Sequence, residues 1–306
     1  TVGQLTCFLS YANQYTKPFN GISGVITELQ NALACAARIF ELIEEEPQIP
    51  DAEDARVLTD VEGAVSLNKV SFSYSKDRKL IEDLNLDVKP GQRIAIVGPT
   101  GCGKTTFLNC LTKLYQATEG EILVDGAPIN CKKNNISYIL QESSAMEWLT
   151  VEENIRFGLE IKNLPKQLIK ERVEEMLDIV GLKEYRNYYP KQLSISMLQR
   201  TVIARAFATY PELLLMDEPY GQLDLDLRFK LEDELINLWK KTKTTVIFIT
   251  HNVEEAVYLG ERIMVLTNKP TKVKQILDCH LDRPRDVADQ KFVDIRNKVT
   301  ELIKWW

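Results

Sequence analysis

Gly98-Pro99-Thr100-Gly101-Cys102-Gly103-Lys104-Thr105 fills every fixed position of G-x-x-x-x-G-K-[ST]. The apolar run Ile94-Ala95-Ile96-Val97 precedes it and a helical pattern over residues 106–114 follows. The stretch therefore reads as a strand turning through glycines into a helix, the context this motif requires. The glycines let backbone N–H groups curl around phosphate oxygens, and the helix N-terminus adds partial positive charge. Lys104 is placed to bridge the β- and γ-phosphates of a nucleotide, and the Thr105 hydroxyl to ligate Mg²⁺. Thr106 completes the candidate nucleotide-binding set. Cys102 stands where a helix N-terminus can lower a thiol pKa, but reads first as a small spacer.

Further along, Leu213-Leu214-Leu215-Met216-Asp217-Glu218-Pro219 is a buried strand delivering two carboxylates at its end. In an open α/β sheet that edge is where ligands bind. Asp217 is suited to hold Mg²⁺, and Glu218 to take a proton from an attacking water as general base. A second apolar strand over 245–250 runs into His251, with Asn252 and Glu255 forming a helix-start box. His251 is thus aimed at the γ-phosphate. Gln141 follows a strand over 137–140 at the same edge, where its amide can meet Mg²⁺ and the water. Tyr74 closes the first strand, and reads either as an edge-strand aromatic or as a platform for adenine.

Around these motifs, strand-like runs over 65–74, 84–88, 93–97, 122–124 and 262–266 alternate with helical patterns over 167–180, 197–208 and 225–240. That alternation predicts an α/β fold with a mostly parallel sheet covered on both faces. Residues 142–208 read as an inserted helical subdomain without strands. The opening segment differs in texture. Leu5, Phe8, Ala12, Tyr15, Phe19, Ile22, Ile26, Leu29, Leu33, Ala36, Phe40 and Ile43 keep a 3,4 spacing. This is the stripe of a long helix with a partner along one seam, and Pro18, Gly21 and Gly24 predict a kink in its middle. A polar linker, 47–60, follows.

The formal net charge of −6 argues against a nucleic-acid partner, which demands surplus Lys and Arg. The six cysteines include no C-x-x-C pair, so neither the usual zinc spacing nor a disulfide framework is indicated, and a reducing compartment is the better reading. No signal peptide is visible, and no run of eighteen uninterrupted apolar residues predicts a membrane span.

In order and spacing, residues 61–265 resemble the P-loop ATPase domain of ABC transporters. Tyr74 matches the adenine-stacking aromatic, Gly98 to Thr105 the Walker A loop, Gln141 the Q-loop and 193–199 the signature region. Residues 213–218 match Walker B, 221–224 the D-loop, and His251 the switch histidine. The resemblance implies an antiparallel β subdomain beside the core, within an ATPase domain over 61–279, and a helical tail over 280–306. It also implies MgATP sandwiched between two such domains paired head to tail, coupled to permease domains on the cytoplasmic face of the cell membrane. Gln141-Glu142, Trp148-Leu149-Thr150-Val151 and Arg283-Pro284-Arg285-Asp286 are similar to importer ATPases of the nitrate, sulfonate and taurine group. Residues 1–46 instead resemble the last transmembrane helix of an exporter.

The signature departs from the family's Leu-Ser-Gly-Gly, reading Leu193-Ser194-Ile195-Ser196. Ser194 and Ser196 remain candidates to hold the γ-phosphate of a partner's ATP, while Ile195 puts a β-branched side chain where backbone must approach phosphate closely. Gln222 also replaces a small residue. These changes imply an alternative, an ATP-binding module with impaired hydrolysis. A GTPase is disfavoured because Asn268-Lys269-Pro270-Thr271 lacks the acid of the guanine-reading N-K-x-D. A small-molecule kinase does not fit the order of Gln, acid pair and His. ABC proteins that act on DNA or ribosomes carry tandem domains or long insertions absent from this chain.

Overall fold

The computed structural model describes residues 2–44, 62–75, 78–130, 133–141, 144–221 and 225–304. Within helices, backbone alone is described for 18–28, 31, 34, 35, 39–44 and 225–227. The linker 47–60, Glu142, Cys131 and the D-loop residues 222–224 lie outside the described residues. The chain divides into two compact units, Thr1–Val57 and Leu58–Trp306.

The first unit holds helix α1, Val2–Glu44, which runs unbroken past Pro18, Gly21 and Gly24. Its stripe stands in solvent where side chains are described: Leu5, Phe8, Tyr15, Leu29 and Leu33 are each more than half exposed. Among the described residues no helix is long and apolar enough to cross a membrane. Gln4, Asn13, Gln14, Lys17 and Asn20 dilute the apolar content of α1.

The second unit is α/β. Strands β1 (Val65–Ser75), β2 (Arg78–Val88), β4 (Glu119–Val124) and β5 (Ala127–Pro128) form an antiparallel sheet in the order β2-β1-β4-β5. The larger sheet contains β3 (Arg93–Val97), β6 (Ile136–Ile139), β7 (Leu213–Asp217), β8 (Thr245–Ile249), β9 (Arg262–Leu266) and β10 (Val273–Asp278). Its order is β10-β9-β3-β8-β7-β6, parallel except where β10 returns antiparallel on β9. β5 and β10 were not legible as strands: β5 has two residues, and Lys274 and Gln275 interrupt any apolar pattern in β10.

Why the central strands read as continuous apolar runs is now plain. Alternate residues enter opposite cores, Ala95, Val97, Leu214, Met216, Val246 and Phe248 on one face. Ile94, Ile96, Leu213, Leu215, Ile247 and Ile249 enter the other, against the antiparallel sheet and the helix after β3. That helix, α2, spans Lys104–Leu111 and stops short of the expected 114. Lys113 turns left-handed at φ 55° and ends the run.

The segment up to 208 carries α3 (Val151–Ile161), α4 (Lys166–Ile179) and α5 (Ile195–Ala208), with no strand among its described residues. α3 starts at a full capping box, Thr150 with Glu153. One-face stripes from the three helices, including Ile155, Leu159, Val173, Leu177, Ile203 and Phe207, meet in the first core. α6 (Leu225–Thr242) and α7 (Val253–Leu259) complete the cover of the sheet. The C-terminal α8 (Gln290–Lys304) packs on α7, and the preceding loop grips the same helix. Arg283 donates to the carbonyls of Tyr258 and Leu259, and Arg285 to those of Tyr258, Gly260 and Cys279. These cations cap the negative end of the α7 dipole.

Candidate nucleotide site

The C-terminal ends of β3, β6, β7, β8 and β9 lie along one edge of the sheet, and the candidate groups are the residues that follow them. After β3 the chain turns at Gly101 (φ 76°) and Gly103 (φ 98°), both in the left-handed region that glycine alone enters freely. Lys104 is buried, and its ammonium donates to the carbonyls of Gly98 (2.8 Å) and Pro99 (2.9 Å). The loop thus holds its own cation by carbonyls, weaker partners than phosphate oxygens. Cys102 is fully buried, and burial pushes its thiol up, against the pull of Lys104. It fits the spacer reading, since an inert buried thiol is not a nucleophile.

Glu218 is the meeting point. Its Oε2 accepts from the Gln141 amide at 3.1 Å and lies 3.1 Å from His251 Nδ1. Glu218 adopts φ 47°, a left-handed conformation costly for a residue with a Cβ, while its N–H donates to Ile249 at the end of β8. Strained backbone held by neighbours is frequent at functional sites. Asp217, one residue earlier, is buried, and that burial lifts its carboxyl above the usual range; a hydrogen bond from Thr105 opposes the shift and Glu218 adds to it. A desolvated carboxylate touching a hydroxyl at a phosphate-binding loop is a hard oxygen set. It fits Mg²⁺, which takes one or two protein ligands plus phosphates rather than an all-protein cage. Among the described residues no group of three His, Cys, Asp or Glu gathers to hold a metal by itself.

His251 is held from both sides. Asn252 caps α7 by accepting from the N–H groups of Glu254 (2.9 Å) and Glu255 (3.2 Å). The expected reciprocal half of that box differs. The Glu255 carboxylate accepts from the Thr250 hydroxyl (2.8 Å), and that oxygen accepts the Asn252 N–H (2.9 Å). Thr250 is interposed, so the loop carrying His251 is clamped while its imidazole stays more than half exposed. Behind it, Glu255 and Glu232 are buried, and burial lifts their carboxyls to about 7 and about 8.

Tyr74 is exposed, with its ring edge-on to Phe72 (4.9 Å) and its hydroxyl 2.9 Å from that of Thr106. Together these elements line a cleft of about 590 Å³, formed by Tyr74, Thr100, Gly101, Gly103, Lys104, Thr105, Thr106, Gln141, Glu218 and His251. Leu80 and Lys269 line it too, and neither was singled out as a site residue. The signal for Lys269 was its place after an apolar strand, the same cue that located His251. Ser194 and Ser196 do not line the cleft. Ser194 caps α5, accepting from the Met197 N–H, and Ile195 beside it is 61% exposed. Gln199 ties this helix to the acid-pair loop by donating to the Pro219 carbonyl (2.6 Å).

Strand, glycine loop and helix, with an acid pair at the same sheet edge, define the P-loop nucleotide-binding class. The family model for ABC transporters matches residues 81–221. An uncharacterized ABC transporter ATP-binding protein of Methanocaldococcus jannaschii is 38% identical over 263 residues, covering 86% of this chain and 97% of the relative. The aliphatic sulfonates import ATP-binding protein SsuB of Bacillus cereus is 38% identical over 244 residues, covering 79% of this chain and 96% of that protein. Among solved structures, a dimeric bacterial ABC transporter cassette superposes with TM-score 0.63 at 29% identity, over 71% of this chain and all of that one. A dimeric ATP-binding cassette in a post-hydrolysis state, bound to ADP and Pi, gives 0.62 at 28%, with the same coverage. The chain belongs to the ABC transporter ATP-binding family, whose members are ATPases coupled to transport.

Proposed function

We propose that this chain hydrolyses ATP for an importer, pairing head to tail with a second ATPase domain beneath permease domains at the cytoplasmic face of the membrane. The observation that carries this reading is the shared carboxylate oxygen: Glu218 Oε2 meets Gln141 and His251 at 3.1 Å each, at the edge that bears the Lys104 loop. Glu218 takes the proton of the attacking water, Gln141 orients that water, and His251 donates to the γ-phosphate as charge develops. Lys104 exchanges the carbonyls of Gly98 and Pro99 for the β- and γ-phosphates. The N–H groups of the loop, from Gly98 through Thr106 except at Pro99, cradle the phosphates, and Tyr74 offers its exposed ring to adenine. Thr105 and Asp217, with Gln141, would hold Mg²⁺, which spreads phosphate charge when bound. Ser194 and Ser196 serve the partner's nucleotide. The names of the Bacillus relatives support import and suggest an organic sulfonate or similar small anion as cargo.

The test is MgATP turnover of Glu218→Gln and Lys104→Ala beside the parent. Loss of turnover with binding retained in the first, and loss of binding in the second, are expected; parental turnover in Glu218→Gln removes the base. A second reading has its own observation. Ile195 is exposed at the N-terminus of α5, where the family presents glycine to the partner's γ-phosphate. On that reading the chain binds ATP normally but hydrolyses it slowly in a homodimer.

A further inference from the structure

Five parallel strands end at the nucleotide edge, and four of them deliver groups with assigned roles. The fifth, β9, runs into Asn268-Lys269-Pro270-Thr271. This is the tetrapeptide that lacks the guanine-reading acid, and the nucleotide reading leaves it unused.

The loop is built against the phosphate-binding loop. The Thr271 hydroxyl donates to the carbonyl of Cys102. The Thr271 N–H donates to Leu80 O (2.8 Å), and Thr271 O accepts from Glu82 N–H (2.9 Å). At the loop's base Thr267 accepts the Lys272 N–H (2.9 Å) and donates to the Asn268 carbonyl (3.0 Å). Lys269 is thereby carried to the rim of the cleft. A Cβ built on Gly101, at the tip of the glycine loop, would lie 3.9 Å from its ammonium.

Charge separates Lys269 from its neighbour. Lys272 is paired with Glu82 at 3.3 Å, whereas Lys269 has no acidic or carbonyl partner for its ammonium among the described residues. In the lining of the cleft the cation Lys104 is offset by the carboxylate of Glu218, with buried Asp217 behind, so the lining is not net positive without Lys269.

Resting on the reading of this cleft as an ATP site, we infer that Lys269 is a second phosphate-binding cation. It engages the nucleotide's phosphate chain from the Gly101 side while Lys104 engages it from within. A solvent-exposed ammonium reaching phosphate contributes modestly and is screened by salt.

The experiment measures MgATP affinity by calorimetry for the full chain and for Lys269→Ala, Lys269→Glu, Lys269→Arg and Lys104→Ala, at about 50 mM and 500 mM salt. Lys269→Ala should weaken binding about three- to fivefold at low salt, Lys269→Glu more, and Lys269→Arg less than twofold. The Ala deficit should shrink to within about twofold at high salt. If Lys269→Ala and Lys269→Glu bind within twofold of the parent while Lys104→Ala loses binding, the Lys269 assignment is wrong and the ATP site stands. A deficit that salt does not diminish, or one that Arg fails to rescue, likewise overturns it. If the parent itself binds no MgATP, the cleft is not an ATP site and both readings fall.

Discussion

Two regions of this ATPase unit, the sheet edge and the N-terminus of α5, differ in how completely they are furnished for the chemistry proposed. At the sheet edge every group the chemistry asks of one chain is present and organised: Lys104 buried in its loop, Asp217 touching Thr105, and Glu218 shared by Gln141 and His251. At the N-terminus of α5, Ser194 spends its oxygen on the Met197 N–H as a cap, and Ile195 stands exposed beside it. The first end is assembled from residues of this chain alone, at the ends of strands that separate two cores. Under the proposed pairing the second acts on a partner's ligand, so its alteration would leave this chain's own loop untouched. On that proposal binding and hydrolysis are separable by position.

The largest effects should fall at the intact end. Lys104→Ala should lower MgATP affinity at least a hundredfold by calorimetry, because among the described residues no other buried cation lines the cleft. Glu218→Gln should keep affinity within a few-fold while turnover falls roughly a thousandfold. Equal losses of affinity in both would dissolve the contrast between binder and base. At the altered end the sign reverses. Ile195→Gly with Ser196→Gly should raise turnover about tenfold or more, since a donor aimed at developing charge is worth roughly 3–4 kcal/mol. Unchanged turnover would mean that Ser194 alone suffices.

A different kind of effect, on stability, lies behind the intact end. Burial, with Glu255 alongside, lifts the Glu232 carboxyl from an ordinary 4.5 to about 8. The native state therefore holds a proton that the unfolded chain releases, so stability from this group is full below about pH 4.5 and lost as pH rises through 8. Glu232→Gln cannot ionise, so relative to the parent it should gain up to about 4 kcal/mol of stability between pH 5 and pH 9. Thermal melts at the two pH values check this, and an offset identical at both would show that Glu232 does not titrate. Smallest of all, a chain beginning at Val61 should bind MgATP within about twofold of the full chain. It should also elute as a narrower species in gel filtration, because the exposed stripe of α1 promotes association.

The sequence by itself determined what contiguous residues decide. The glycine loop was legible because phosphate cradling needs fixed spacing between neighbours. The strands before Gly98, Asp217 and His251 were legible because burial on both faces demands an unbroken apolar run. β10 was not, since an edge strand needs no such run, and the helix-start box at Asn252 was half right because Thr250 took the carboxylate of Glu255. Tertiary structure alone decided which distant side chains meet. Gln141 reaches Glu218 across 77 residues, and Thr271 pins its loop to Cys102 across 169. Parallel strands cannot neighbour one another without long crossovers, so the register that aligns their ends is a property of the packed sheet and of no local segment.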